Sequence, residues 1–282
     1  MFAWQGWIIS LPDGWNPMKL EGNFDAGYAL IADVFRPRLG LRWTTPGRRF
    51  DPAVWAKNAM IEEVGTLAAE EAQVCPSDCW KGAMLFTEPQ PPGRDVWVAW
   101  GNVSGRTIEL VHHVVDGEAS YLEQLRRDLT DSEPAGELAW AVFDLSCTTP
   151  PDWRLDSMRL NAGDMRLSFT NNSHRSSVRQ LAVAHLALKR MSLDKWLAQE
   201  QRPHENNYRI TSSAAPVLFG REGLKGLSCR MQRRRGLWRR RLPPEIHMLA
   251  LEDTRRGKLL MLEADAGASA EKLARTVGWA AS

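Results

Sequence analysis

Residues 7–43 read WIISLPDGWNPMKLEGNFDAGYALIADVFRPRLGLRW, and residues 141–169 read AVFDLSCTTPPDWRLDSMRLNAGDMRLSF. Each opens on an apolar alternating run, reaches a proline, and places a tryptophan just past it, Trp15 and Trp153. A basic residue before a leucine follows (Lys19-Leu20, Arg159-Leu160), then a glycine (Gly22, Gly163) and a second strand-like run. The tryptophans stand 138 positions apart in a chain of 282 residues. A lag close to half the length predicts two tandem copies of one fold.

The bulk numbers suit that organisation. A chain of 282 residues accommodates two domains that each bury a core. Hydrophobic content of 44% and charged content of 25% are globular values. The 13 tryptophans are expected mostly as core filler, each with one polar N–H to satisfy. No stretch has the length of a spanning helix. The N-terminal run Trp7 to Leu11, without a basic start, is too short for a signal peptide. Cys75, Cys79, Cys147 and Cys229 are scattered rather than set as a disulfide framework, so a reduced, cytoplasmic protein is the expectation.

Net charge is +2, but residues 1–139 carry 12 Lys+Arg against 20 Asp+Glu, leaving 24 against 14 for the rest. The first half is therefore at −8 and the second at +10. Such asymmetry can dock the halves or turn a basic face to a polyanion.

Read in order, Trp7 to Leu11, Tyr28 to Val34 and Leu39 to Trp43 alternate as strands, with turns at Pro12-Asp13-Gly14 and Arg36-Pro37-Arg38. Asp51-Pro52 is a helix start, aspartate at the N-cap and proline at the first helical position, with Val54, Ile61, Val64 and Ala68 on the inward face. Strands at Ala83 to Thr87, Val96 to Val103 and Thr107 to Val115 follow. A helix from Ser120 closes the copy, Ser120 and Glu123 forming a capping box. The linker falls at Ser132 to Gly136, giving domains 1–133 and 138–282. The second copy repeats the scheme with strands at Ala141 to Ser146, Met165 to Phe169 and Val178 to Val183. A helix near Trp196, late strands from Val217 to Glu263 and a last helix bearing Leu273 and Val277 complete it.

The order β-β-β-α-β-β-β-α predicts an α+β class, two tandem domains that each pack helices on an antiparallel sheet. The Pro12/Trp15 and Pro151/Trp153 motifs after an opening strand, and the tryptophan-bearing helix, resemble the fold of PsbP proteins and Mog-type Ran-binding proteins. That resemblance implies a non-enzymatic binding or assembly role and carries over no binding residue.

The sharpest local feature is RMQRRRGLWRRR, Arg230 to Arg241. Arg230, Arg233, Arg234, Arg235, Arg239, Arg240 and Arg241 surround Trp238. They suit an anion grip with the tryptophan stacking on a base, an acidic protein surface, or a solvated hairpin. Cys75 and Cys79, with His112-His113 on a later strand, have a zinc-like spacing, but adjacent histidines face opposite ways, and no metal or other cofactor is expected. His204-Glu205 has no nucleophile motif beside it, and His174 and His185 are unaccompanied. No phosphate loop occurs; Gly220 to Gly226 reads as a hairpin turn. Trp97 and Trp100 read as core. The expected function is non-enzymatic: an interaction or assembly protein binding other protein subunits through its two domains. The alternative is nucleic-acid or other polyanion binding through Arg230–Arg241, without membrane contact.

Overall fold

The computed structural model describes the chain except residues 76–78, 89–91, 117–119, 133–135, 162, 190, 220–223, 237, 266 and 280–282, and except the side chains of 238, 240 and 267–269. It divides into two compact units, Met1–Asp144 and Leu145–Trp279. The expected linker at 132–136 lies largely outside the described residues.

The first unit runs β1 (Phe2–Trp4), β2 (Trp7–Ile9), β3 (Asn16–Gly22), β4 (Ala26–Ala32), β5 (Pro37–Thr44), α1 (Pro52–Val64) and α2 (Thr66–Glu70). It continues with β6 (Gln73–Val74), β7 (Gly82–Thr87), β8 (Arg94–Trp100), β9 (Thr107–His113), α3 (Leu122–Asp128), β10 (Thr130–Asp131) and β11 (Leu138–Val142). Its large sheet has the order β3-β4-β5-β9-β8-β7-β6, all neighbours antiparallel. The short strands β10, β2, β1 and β11 line up separately in that order.

The second unit runs β12 (Leu145–Thr149), β13 (Arg154–Asn161), β14 (Asp164–Thr170), β15 (Arg175–Leu181), α4 (Ala184–Ala187) and α5 (Leu193–Gln201). Then come β16 (Tyr208–Phe219), β17 (Leu224–Arg233), β18 (Glu245–Asp253), β19 (Lys258–Ala264), α6 (Gly267–Thr276) and β20 (Gly278–Trp279), which pairs with β12. Its large sheet is β13-β14-β15-β19-β18-β17-β16. Counted from its own first strand, each large sheet is ordered first-second-third-seventh-sixth-fifth-fourth.

Local chemistry explains the elements. Asp51 caps α1 by accepting from Ala53 N at 2.9 Å and Val54 N at 3.2 Å, with Pro52 opening the helix. The β4–β5 turn closes on Asp33, whose Oδ1 accepts from Phe35 N and Arg36 N at 2.7 and 2.8 Å, so the turn precedes the expected Arg36-Pro37-Arg38. Asn171 closes β14–β15 in the same way, on Ser173 N and His174 N. Gly22 needs its positive φ of 84°, because a Cβ there would lie 2.2 Å from Ala26 O.

Two expectations are corrected here. The α+β class with two domains of β-β-β-α-β-β-β-α order does not hold: the protein is mostly β, 49% strand and 20% helix, in large antiparallel sheets with few helices. The strand content hides in segments with little alternation, such as β16, YRITSSAAPVLF, exposed over most of its length. Backbone pairing, not side-chain burial, makes it a strand. The inward face of the first helices is corrected at one residue: Ile61, Val64 and Ala68 pack on the core as expected, around the more deeply buried Ala56, Ala59 and Met60 that meet Phe86, Val96, Val98 and Val111, while Val54 is exposed.

Candidate functional site

The arginine segment does not form one patch. Side chains alternate along a strand, so Arg230 and Arg233 on β17 point to opposite faces. Arg233 is tied into the fold, its Nη1 donating to Leu242 O. Arg234 Nε donates to Glu205 O at 3.1 Å and Tyr208 O at 3.0 Å. Arg239 donates to Asn207 Oδ1 at 3.3 Å and Arg235 O at 3.4 Å. Arg234 and Arg239 thus reach residues 205–208, and Arg233 reaches residue 242. Arg230, Arg234, Arg235 and Arg241 are exposed. The side chains of Trp238 and Arg240 lie outside the described residues, and so does the stacking expected of Trp238.

In the first unit, β8, β9 and the start of α3 bring Asp95, His112 and Ser120 together, a set the sequence separates by 25 residues. Ser120 Oγ donates to Asp95 Oδ2 at 2.6 Å, and His112 Nδ1 lies 3.5 Å from both that oxygen and Ser120 Oγ. Both partners meet one ring nitrogen, whereas a nucleophilic triad needs the hydroxyl on the other. The cluster fixes α3 instead, since Leu122 N donates to Ser120 Oγ at 3.3 Å. The capping box is not closed: Glu123 pairs with Arg126 at 2.8 Å. His113 points away, its pKa lowered by burial and by Arg94.

All four cysteines are free thiols. Burial raises Cys147 to about 12 and Cys229 to about 11, which removes both as thiolate nucleophiles. Among the described residues no three His, Cys, Asp or Glu converge as a metal site. No described helix is long and apolar enough to cross a membrane.

In the second unit a cleft of about 380 Å³ runs between the sheet and residues 203–208, lined by Arg166, Arg175, His204, Tyr208, Glu263 and Asp265 among others. His204 couples with Glu263 rather than Glu205, at 3.8 Å, and Arg166 lies 3.8 Å from the same carboxylate. His174, held by the Asn171 turn, sits 3.1 Å from Asp265. The hydroxyl of Ser177 accepts from Arg166 at 3.1 Å and has no histidine beside it. Base and carboxylate meet here, and among the described residues no hydroxyl is hydrogen-bonded to His204.

The repeated tryptophans are the informative pair. Trp15 is held by three partners: His112 stacks at 6.1 Å, Tyr121 meets it edge-on at 5.4 Å, and the Arg38 guanidinium lies 5.0 Å from its ring centre. Both tryptophans are buried and both border a cleft, Trp15 one of about 320 Å³ with Leu11, Pro12, Asn16 and Phe143 among others, Trp153 one of about 150 Å³ with Pro150, Ser176, Lys272 and Leu273. Trp97 and Trp100 are core, as their burial and packing show.

One exposed feature escaped sequence reasoning. Val34 and Phe35, the tip of the β4–β5 turn, are 86% and 87% exposed. The Asp33 side chain stiffens that tip, and Arg38 pairs with Asp33 at 3.4 Å. At the matching turn of the second unit stand Asn172 and Ser173. The alternation that marks β4 runs on into Val34, so the sequence reads it as strand.

Charge pairs make the two units respond differently to acid. Arg179 holds Asp164 through two hydrogen bonds, at 2.8 and 3.0 Å, and depresses its pKa. That stabilisation is present above the ordinary aspartate value of 3.8 and lost as pH falls through the depressed one. Glu109 is the reverse: burial raises its pKa in spite of Arg42 at 2.6 Å, so its contribution favours the fold at low pH and declines as pH rises. Asp164→Asn is therefore expected to flatten the acid-side loss of melting temperature between about pH 5 and 2. An unchanged slope would show that Asp164 does not titrate differently on folding.

No protein-family model matches the chain, and no curated protein matches it by sequence. The functional reading rests on the geometry.

Proposed function

We propose that the chain is a non-enzymatic interaction protein of the cytoplasm that assembles with other protein subunits through its two units. The observation that carries this reading is the Val34–Phe35 tip. Two large apolar side chains stand almost fully in water on a turn that its own aspartate rigidifies. Rigid exposed apolar groups are what a docking surface presents, because little conformational entropy is lost on binding. The polar tip of the second unit suits a division of labour between copies. Duplication of one ancestral fold is supported by the common strand order and by Trp15 and Asp33 recurring 138 positions on as Trp153 and Asn171. The proline–tryptophan motif is what links that ancestor to PsbP-like proteins.

The test is capture of partners from the native host by the tagged full chain at low salt, with and without nuclease, beside Val34→Ser/Phe35→Ser. A stoichiometric, nuclease-resistant protein is expected, weakened at least tenfold in the double variant while its melting temperature moves by under about 2 °C, as for other surface changes. Capture indifferent to the variant would remove this reading. Nuclease-sensitive material that elutes with salt, and is lost on Arg230→Glu/Arg235→Glu/Arg241→Glu, would put polyanion binding in its place.

A further inference from the structure

The cleft beside Trp153 reaches Ser176, where the first unit carries a leucine in the same register. Ladder register identifies the place. One row across the first large sheet reads Pro17, Ile31, Leu39, His112, Asp95. The corresponding row of the second reads Leu155, Phe169, Ser176, Ala264, His247. In both units the tryptophan lies two residues before the first member of the row. Leucine has become serine and the stacking histidine has become alanine. Phe169 adds bulk where Ile31 stood, yet about 150 Å³ stays open against Trp153.

Ser176 supplies the second observation. It is 4% exposed, and its hydroxyl has no hydrogen-bond partner among the described residues. Buried hydroxyls are nearly always bonded, and an unbonded one is costly. Placed in a cleft, it is a group waiting for an incoming atom. The walls fix the rest of the chemistry: Trp153, Pro150 and Leu273 are apolar, with Thr148, Thr149 and Lys272 completing the lining, and a space on the order of 150 Å³ takes a benzene-sized group.

We propose that this cleft binds an apolar side chain of leucine-to-phenylalanine size on a partner peptide, with a neighbouring peptide amide or carbonyl bonded to Ser176 Oγ. This rests on the interaction-protein reading and names the chemistry its second unit recognises. In the first unit Leu39 stands in the place of Ser176, and the cleft beside Trp15, lined by Leu11, Pro12, Asn16 and Phe143 among others, does not include it.

The probe is N-acetyl-leucinamide, titrated into the isotope-labelled full chain and followed by amide and indole chemical shifts. Shifts are expected at Thr149, Trp153 and Ser176. Ser176→Leu restores the residue of the first unit and is expected to abolish them, with at least a tenfold loss of affinity. Ser176→Ala keeps the space and removes the bond, for a loss of about fivefold. Shifts centred elsewhere, or undiminished in Ser176→Leu, would overturn the proposal. If Ser176→Leu loses its dispersed spectrum, Ser176→Ala decides in its place: binding unchanged in that variant overturns the hydroxyl's role and with it the proposal. The host capture experiment separates the two claims. Probe binding as stated with no captured protein upholds the cleft and removes the interaction reading, while capture without probe binding does the opposite.

Discussion

Arg106→Met is expected to cost the first unit about 3–5 kcal/mol, the range for breaking a buried ion pair by removing one partner. Arg106 is fully buried, and its Nη2 pairs with Asp131, whose side chain is 2% exposed. The same guanidinium donates to Gln5 O at 2.7 Å and Phe24 O at 2.9 Å, and lies between the rings of Trp7 and Phe24, 4.2 and 4.1 Å from their centres. Methionine fills much of the volume but satisfies none of those acceptors. Among the described residues Asp131 keeps Asn102 and Ser104 but loses its buried guanidinium partner. For a unit of this size the loss corresponds to a drop in melting temperature on the order of 10 °C. Arg106→Met/Asp131→Leu is expected to recover much of it, because burying neither charge avoids both desolvation costs. Calorimetry of wild type, single and double variants checks this. A single-variant loss under about 1 kcal/mol would mean that water reaches the pair, as it does for exposed ion pairs.

Arg106 also shows where sequence reading reaches its limit. Nothing about an arginine between Gly105 and Thr107 distinguishes it from a surface residue, since its burial is set by partners at positions 5, 24 and 131. What sequence does reveal is local. The Asp51-Pro52 helix start, the strands β4 and β5 and the recurrence of tryptophan after proline follow from side chains acting on their own backbone. The class fails because β16 carries serines and alanines where a half-buried strand would alternate, and its pairing with β17 supplies what its composition conceals. Within the arginine run only Arg230 and Arg233 lie on a strand, which turns them to opposite faces, and the contacts that Arg234 and Arg239 make with residues 205–208 depend on chain positions far from the run. The tip at Val34–Phe35 reads as strand because apolar residues signal burial, and only the Asp33 turn turns them out. As for the cleft beside Trp153, its Ser176 stands out only when the second sheet is laid in register with the first, where the same place holds Leu39.

That contrast between the units carries the other large expected effect. Trp15→Ala is expected to destabilise the first unit by about 3–5 kcal/mol, the usual range for removing a buried tryptophan. Trp153→Ala should cost the second only about 2 kcal/mol, the lower bound for large-to-small core changes. Solvent exposure does not predict the difference, since both rings are hidden from water. Contacts do. Trp15 loses His112, Tyr121 and Arg38 at once, and His112 is further constrained by Asp95 and Ser120, so the surround cannot collapse into the space. Both rings border a cleft, of about 320 Å³ at Trp15 and about 150 Å³ at Trp153, so open volume does not separate them and the stacked partners of Trp15 do. Because two units need not unfold together, a single global transition cannot assign the losses. Hydrogen exchange in rising urea, followed at β4 amides for the first unit and β14 amides for the second, reads each separately. Equal losses would mean that the stacking of His112, Tyr121 and Arg38 on Trp15 adds nothing to the burial that both rings share.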